Sequence, residues 1–179
     1  MAYLNMKKVQ IFLIGGGMGV GKSTISHVLA KKYHIKNILS TDIIRSTLRL
    51  TLKNNILAKH SFQLSNEEFK QQSLIISPFI EELIKEFCVL GKDSIIEGIN
   101  IWPSFFVKRG YEVTLVDIED EEKHKELILN RRKDTYKNFP SDVYMENFSN
   151  IRRIRKLLIN EAALNKCRIM NESCNIELW

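Results

Sequence analysis

A chain of 179 residues with 44% hydrophobic side chains, 3 prolines and 8 glycines has the length and apolar content of one folded domain, and is neither disordered nor collagen-like. No apolar run reaches the roughly 18 residues of a membrane helix, and three scattered cysteines (Cys88, Cys167, Cys174) suit neither a disulfide framework nor a zinc site, which points to a reducing cytoplasm. The 27 basic and 21 acidic residues leave a net charge of +6, compatible with an anionic ligand but too mild to demand nucleic acid.

Segments in chain order alternate between strand-like and helix-like, the pattern of an α/β fold on a parallel sheet. Lys7 and Lys8 before the apolar Val9–Ile14 imitate a signal peptide, but the run is too short for one and ends in glycines. It reads instead as a strand buried on both faces. Lys22 to about Tyr33 reads as a helix, Asn37–Ser40 as a second strand, and Asp42 to about Lys53 as a helix capped by Asp42 or Thr41. Ser65-x-x-Glu68 is a capping box. It opens a long helix with Ile75, Ile76, Phe79, Ile80, Leu83, Ile84 and Phe87 inward, kinked at Pro78 and closed by Gly91. Asp93–Glu97 is a third strand, Pro103–Arg109 a short helix, and Glu112–Ile118 a fourth strand. Glu119–Lys133 is a helix with acids first and bases last, matching its dipole. After the break at Phe139-Pro140, Ser141 starts one long helix with Tyr144, Phe148, Ile151, Ile154 and Leu158 inward, and Cys167–Met170 is a fifth strand.

The strongest chemical signal is Gly16-Gly17-Met18-Gly19-Val20-Gly21-Lys22-Ser23, a G-x-x-x-x-G-K-[ST] match lying between a strand and a helix, the context of a P-loop. Glycines let backbone N–H groups turn inward around phosphate oxygens, and the helix beginning at Lys22 aims its N-terminus at the same charge. Gly17, Gly19, Val20, Gly21, Lys22, Ser23 and Thr24 are therefore the candidate ATP-binding residues. Lys22 would reach the β- and γ-phosphates, and the Ser23 hydroxyl would ligate Mg²⁺. No G-x-G-x-x-G spacing fits these glycines, which removes the main support for a nicotinamide enzyme. No H-R-D or D-F-G element is present, which excludes a protein kinase.

Two acids end apolar strands near that loop. Glu97 is preferred over Asp117 as the Mg²⁺-side carboxylate, because Gly98 after it permits close backbone approach while Asp117 runs into an acid cluster. Asp42, after the second strand, can take or orient the proton of an attacking hydroxyl or serve as a helix cap. Arg45 and Arg49 share a helix face with it and can grip an anionic acceptor. Arg131 and Arg132 end a helix and precede a polar break, Lys133 to Ser141, within a lid region at about 131–141. A short segment there can close like a lid and neutralise the transferring phosphate. Arg152 and Arg155, opposite the apolar stripe of the last helix, can line the lid's other wall or be solvated surface charge.

Taken together, Ile14–Ile25, Ser40-Thr41-Asp42-Ile43-Ile44-Arg45, Ile95-Ile96-Glu97-Gly98 and Phe148-x-x-Ile151-Arg152-x-Ile154 resemble the 2-phosphoglycerate kinase family of P-loop kinases, in order over nearly the whole chain. The resemblance implies a nucleoside-kinase-like fold: a five-stranded parallel sheet in order 2-3-1-4-5 with helices on both faces. It also implies ATP and Mg²⁺. By position it carries phosphate binding to Gly19, Gly21, Lys22, Ser23 and Thr24, and acceptor handling to Asp42 and Arg45. The segment Ile99–Pro103 matches in outline but has Asn100 where the family pattern suggests His. Glu97 and Asn100 complete the candidate acceptor site.

The expectation is a kinase domain over 1–179 that moves the γ-phosphate of ATP to a hydroxyl of a small anionic acceptor, with no membrane and no obligate protein partner. Two alternatives stand beside it. One is a nucleotide, polynucleotide 5′-hydroxyl or antibiotic kinase on the same scaffold, disfavoured for nucleic acid because no aromatics interleave Arg152–Lys156. The other is a non-catalytic ATP-binding module.

Overall fold

The computed structural model describes residues 9–135 and 141–171, except the side chains of 131–135 and 141. Lys7, Lys8, Phe139, Pro140, Cys174 and the side chains of Arg131 and Arg132 therefore lie outside the described residues.

Five strands, β1 (Ile11–Gly16), β2 (Asn37–Ser40), β3 (Ser94–Gly98), β4 (Val113–Asp117) and β5 (Arg168–Asn171), form one sheet in the order β2-β3-β1-β4-β5. Every pairing is parallel, as expected. The central strands are continuous apolar runs because both faces are covered, and alternate side chains enter opposite cores. Leu13, Ile96 and Leu115 pack on one side with α2 (Thr41–Leu52), α3 (Asn55–Ala58), α4 (Asn66–Val89), α5 (Pro103–Val107) and α8 (Phe148–Leu164). Ile14, Ile95 and Val116 pack on the other with Ile25 and Leu29 of α1 (Lys22–Tyr33) and Leu127 of α6 (Glu121–Thr135). The remaining helix, α7 (Ser141–Glu146), precedes α8.

Local chemistry sets the helix ends. Ser65 and Glu68 form the capping box of α4. Its far end is a Schellman motif, with Gly91 at φ 63°, the Gly91 N–H donating to Cys88 O and the Lys92 N–H to Phe87 O. α4 continues through Pro78 for 24 residues, while Ser77 Oγ donates to Ser73 O at 2.7 Å.

Four expectations need correction. The cap of α2 is Ser40, whose hydroxyl accepts from the Asp42 N–H at 3.2 Å, so neither Thr41 nor Asp42 caps. Phe79 is 40% exposed, because the inward stripe of α4 runs through Gln72, Ser73, Ile76, Ser77, Ile80 and Ile84. The final long helix is two, broken at Asn147, whose side-chain amide donates to Val143 O. A short helix, α3, and a 3₁₀ turn at Ser61–Gln63 occupy a stretch for which the sequence suggested no element.

Gly98 lets β3 press against the start of α2. A Cβ there would lie 1.7 Å from Thr41 Oγ1 and 2.7 Å from Thr41 Cβ. Gly98→Ala is therefore expected to cost about 3 kcal/mol, the upper end for overpacking a core, seen as a lowered midpoint in urea. An unchanged midpoint would contradict the close approach.

Candidate active site

The phosphate loop lies between β1 and α1 at the carboxyl edge of the sheet, where open α/β sheets bind ligands. Gly19 (φ 75°) and Gly21 (φ 91°) hold left-handed conformations that other residues resist. Gly21 is the N-cap of α1 and supplies no side-chain cap, so the N–H groups of the first turn are left for an anion. Val20 contributes only backbone, since its side chain is buried in the core under α1. Lys22 is 9% exposed, and its ammonium donates to Gly17 O at 2.6 Å across the loop. Thr24 follows in the exposed first turn of α1.

The two strand-end acids have different partners. Glu97 Oε1 accepts from Ser23 Oγ at 3.3 Å, which places two hard oxygens side by side. Asp117, 5% exposed, is held bidentately by Arg155, with Nε to Oδ1 and Nη2 to Oδ2 both at 2.7 Å. Ser23 and Glu97 therefore fit Mg²⁺, which keeps several waters and takes one or two protein oxygens beside substrate phosphates. Among the described residues there is no group of three or more His, Cys, Asp or Glu that would form an all-protein metal cage.

A cavity of about 450 Å³ runs from the loop to α2, lined by Lys22, Ser23, Asp42, Arg45, Glu97 and Asn100 among others. Arg45 Nε lies 3.7 Å from Asp42 Oδ1, and their side chains are 11% and 52% exposed. Arg45 Nη1 also donates to Leu57 O at 2.8 Å, which fixes its direction. Asn100 is fully buried, and its Nδ2 donates to Gln72 Oε1 at 3.0 Å and Ser73 Oγ at 3.3 Å. Gln72 Nε2 donates in turn to Ile56 O and Lys59 O. That chain of donors orients both amides and leaves Asn100 Oδ1 without a hydrogen-bond partner.

Other expectations part from the geometry. Arg49 does not line this cavity. One further turn of α2 carries it into solvent, on a shallow groove with Ile43 and Leu50. Arg152 and Arg155 are engaged by internal partners: Arg152 donates to Ile118 O and Glu119 O, and Arg155 holds Asp117. Arg153 donates to Leu64 O and Asn66 Oδ1. These three arginines are thus spent on internal partners. Sequence reasoning missed His60, Gln72 and Tyr144 in the lining. His60 stacks on Phe62 at 5.4 Å, and burial, then the Arg45 charge, holds its pKa below the ordinary value. No spacing pattern marks these residues; only the packing of α4, α7 and the segment before the 3₁₀ turn around one space assembles them.

No family model matches the chain. The 2-phosphoglycerate kinase of Pyrococcus horikoshii is 31% identical over 176 residues, and that of Methanopyrus kandleri 29% over 182. The chain is similar to 2-phosphoglycerate kinases. These alignments cover 89% and 90% of the chain but 58% and 55% of the relatives, so it spans little more than half their length. Among solved structures, a shikimate kinase from Acinetobacter baumannii superposes with a TM-score of 0.53 at 14% identity, covering 95% of this chain and 86% of that one. A gluconokinase from Sinorhizobium meliloti gives 0.50 at 10% identity, covering 96% and 86%. The fold is that of the small-molecule P-loop kinases. Among the described residues no helix is long and apolar enough to cross a membrane.

The two acids should separate by experiment. Asp117→Asn strands a largely buried Arg155 and is expected to cost about 3 kcal/mol, a Tm loss of roughly 6–12 °C for a chain of this size. Glu97→Gln should leave Tm nearly unchanged and weaken Mg²⁺-dependent ATP binding by about tenfold or more. The reverse pattern would exchange their roles.

Proposed function

We propose that this chain is a kinase domain that moves the γ-phosphate of Mg²⁺-bound ATP to the hydroxyl of a small, doubly anionic acceptor, with 2-phosphoglycerate the best match. The observation that carries the reading is that Lys22, Ser23 and Glu97 share one cavity with Asp42 and Arg45. The names of the relatives supply the acceptor. 2-Phosphoglycerate has one free hydroxyl, at C3, flanked by a carboxylate and a phosphate, which suits a site with one carboxylate beside one arginine.

Within this reading each residue has a task. Backbone N–H groups at Gly17, Gly19, Val20 and Gly21, with those of the first turn of α1 as far as Thr24, hold the phosphates, and Lys22 neutralises the β- and γ-phosphates. Ser23 and Glu97 hold Mg²⁺, which supplies charge stabilisation when bound. Arg45 pairs with the acceptor's carboxylate or phosphate, and its bond to Leu57 O keeps the fork in place. Asp42 takes the hydroxyl proton while the acceptor oxygen bonds to the γ-phosphorus and ADP leaves with the bridging oxygen. Asn100 is buried in the wall of the acceptor end, where its amide holds Gln72 and Ser73 in place rather than touching the substrate. From sequence position alone, Arg131 and Arg132 are assigned to the charge on the transferring phosphate. The polynucleotide reading loses ground, because Arg152, Arg153 and Arg155 have internal partners. A module that only bound ATP would have no use for Asp42 and Arg45 beside the loop.

Steady-state kinetics with 2-phosphoglycerate, paired with Tm, tests the assignment. Asp42→Asn should lower kcat by about 10²-fold or more and leave Tm nearly unchanged, since Ser40 caps α2. Arg45→Ala should raise the KM for the acceptor roughly 10–100-fold with ATP affinity unmoved. Near-normal kcat in Asp42→Asn would remove its proton role. Transfer to another acceptor but not to 2-phosphoglycerate would overturn the acceptor.

A further inference from the structure

One buried titratable side chain has no part in the chemistry above. His124, on α6, is fully buried, and its Nε2 lies 2.7 Å from the carbonyl oxygen of Met18, in the middle of the phosphate loop. A carbonyl only accepts, so Nε2 carries the proton. Nδ1 faces Arg152 Nη1 at 3.4 Å, a donor that stays protonated, so Nδ1 keeps its lone pair. The ring is thereby specified as the neutral Nε2–H tautomer. Burial first, with the charges of Arg152 and Arg155, keeps its pKa below the ordinary value against the opposing pull of the Met18 O hydrogen bond and of Asp117, which is paired with Arg155. The ring is clamped in place. Arg152 is anchored to Ile118 O and Glu119 O, and Phe148 meets the imidazole edge-on at 5.5 Å.

The location gives the contact its meaning. Met18 sits between Gly17 and Gly19, where no flanking side chain restrains the backbone. In a planar trans peptide the carbonyl of one residue and the N–H of the next point opposite ways. A bond that holds Met18 O against α6 therefore turns the Gly19 N–H the other way. Were this peptide to flip, a carbonyl oxygen would replace that N–H and its dipole would repel a phosphate. One turn further along α6, Ile128 closes on the same peptide: a Cβ at Gly19 would lie 2.4 Å from Ile128 Cγ1.

We infer that His124 is a positioning residue for nucleotide binding, whose Nε2–H fixes the Met18 peptide so that the Gly19 N–H is presented to the phosphates. The role rests on the phosphate-loop reading and is independent of the acceptor.

The test compares His124→Gln, whose amide nitrogen reaches the place of Nε2, with His124→Leu, which has no donor. The readouts are the Kd for Mg²⁺·ADP by calorimetry, at a temperature where the Tm shows each variant folded, and the ring ¹⁵N shifts of the native protein at pH 7. Expected are a neutral Nε2-protonated ring, a Kd raised at least tenfold in His124→Leu, and a Kd within threefold of native in His124→Gln. A role confined to stability would lower the Tm of His124→Leu and leave its Kd native, which overturns the inference. So would equal weakening of both variants, or a ring found as the Nδ1–H tautomer or as imidazolium. If His124→Leu does not fold, the ring shifts and the Kd of His124→Gln decide by the same criteria. A native chain that binds no Mg²⁺·ADP overturns both this role and the phosphate-loop reading, whereas failure of the His124 pattern alone leaves that reading standing.

Discussion

A polypeptide can surround an anion with its own amide hydrogens only where consecutive N–H groups point inward, and a side chain at those positions would block the turn. The neighbourhood of Gly16–Gly21 is arranged around that constraint. A Cβ at Gly16 would lie 2.4 Å from Val116 O, one at Gly17 3.1 Å from Arg155 Cβ, and one at Gly19 2.4 Å from Ile128 Cγ1. β4, α8 and α6 each close on the loop at a different glycine. The glycines permit the curve, and these neighbours restrain a backbone that would otherwise be too free. The Arg155–Asp117 pair is part of the same support, since it anchors the stretch of α8 that lies against Gly17.

Parallel strands give the second half of the site. All five run the same way, so β1, β2 and β3 deliver the loop, α2 and Glu97 to one edge. Register brings Ser40 opposite Glu97, and Gly98 lets the start of α2 approach without a gap. Asp42 then lies two residues beyond β2 and Arg45 one turn further, both on the cavity that Lys22 and Ser23 also line. Ile99 and the largely buried Arg45 side chain form part of its wall, and charge interactions are stronger beside such low-dielectric walls.

Local signals were legible in the sequence. The glycine spacing, the apolar strands, the capping box of α4 and the helix beginning at Lys22 depend on neighbours a few residues away. What escaped depends on distant partners. Glu97 and Asp117 both end apolar strands, and their difference lies in Ser23 and Arg155, 74 and 38 residues off. Arg152 and Arg155 read as lid wall or surface charge, yet they and Arg153 turn inward, Arg153 reaching Leu64 O across 89 residues. Arg49 carried the helical spacing of a site residue but lies a turn too far along α2. His60 and Gln72 enter the cavity from a loop and a helix face with no periodic signature, and His124 looked like one polar residue among the charges that open α6.

The account is tested most directly by following the phosphorus. With the chain, Mg²⁺, ATP and 2-phosphoglycerate, ³¹P NMR should show the γ-phosphate signal replaced by ADP and, in equal amount, a second phosphomonoester on C3 of the acceptor, with none formed when the acceptor is omitted. ATP bound but never consumed, or consumed only to inorganic phosphate, would contradict it.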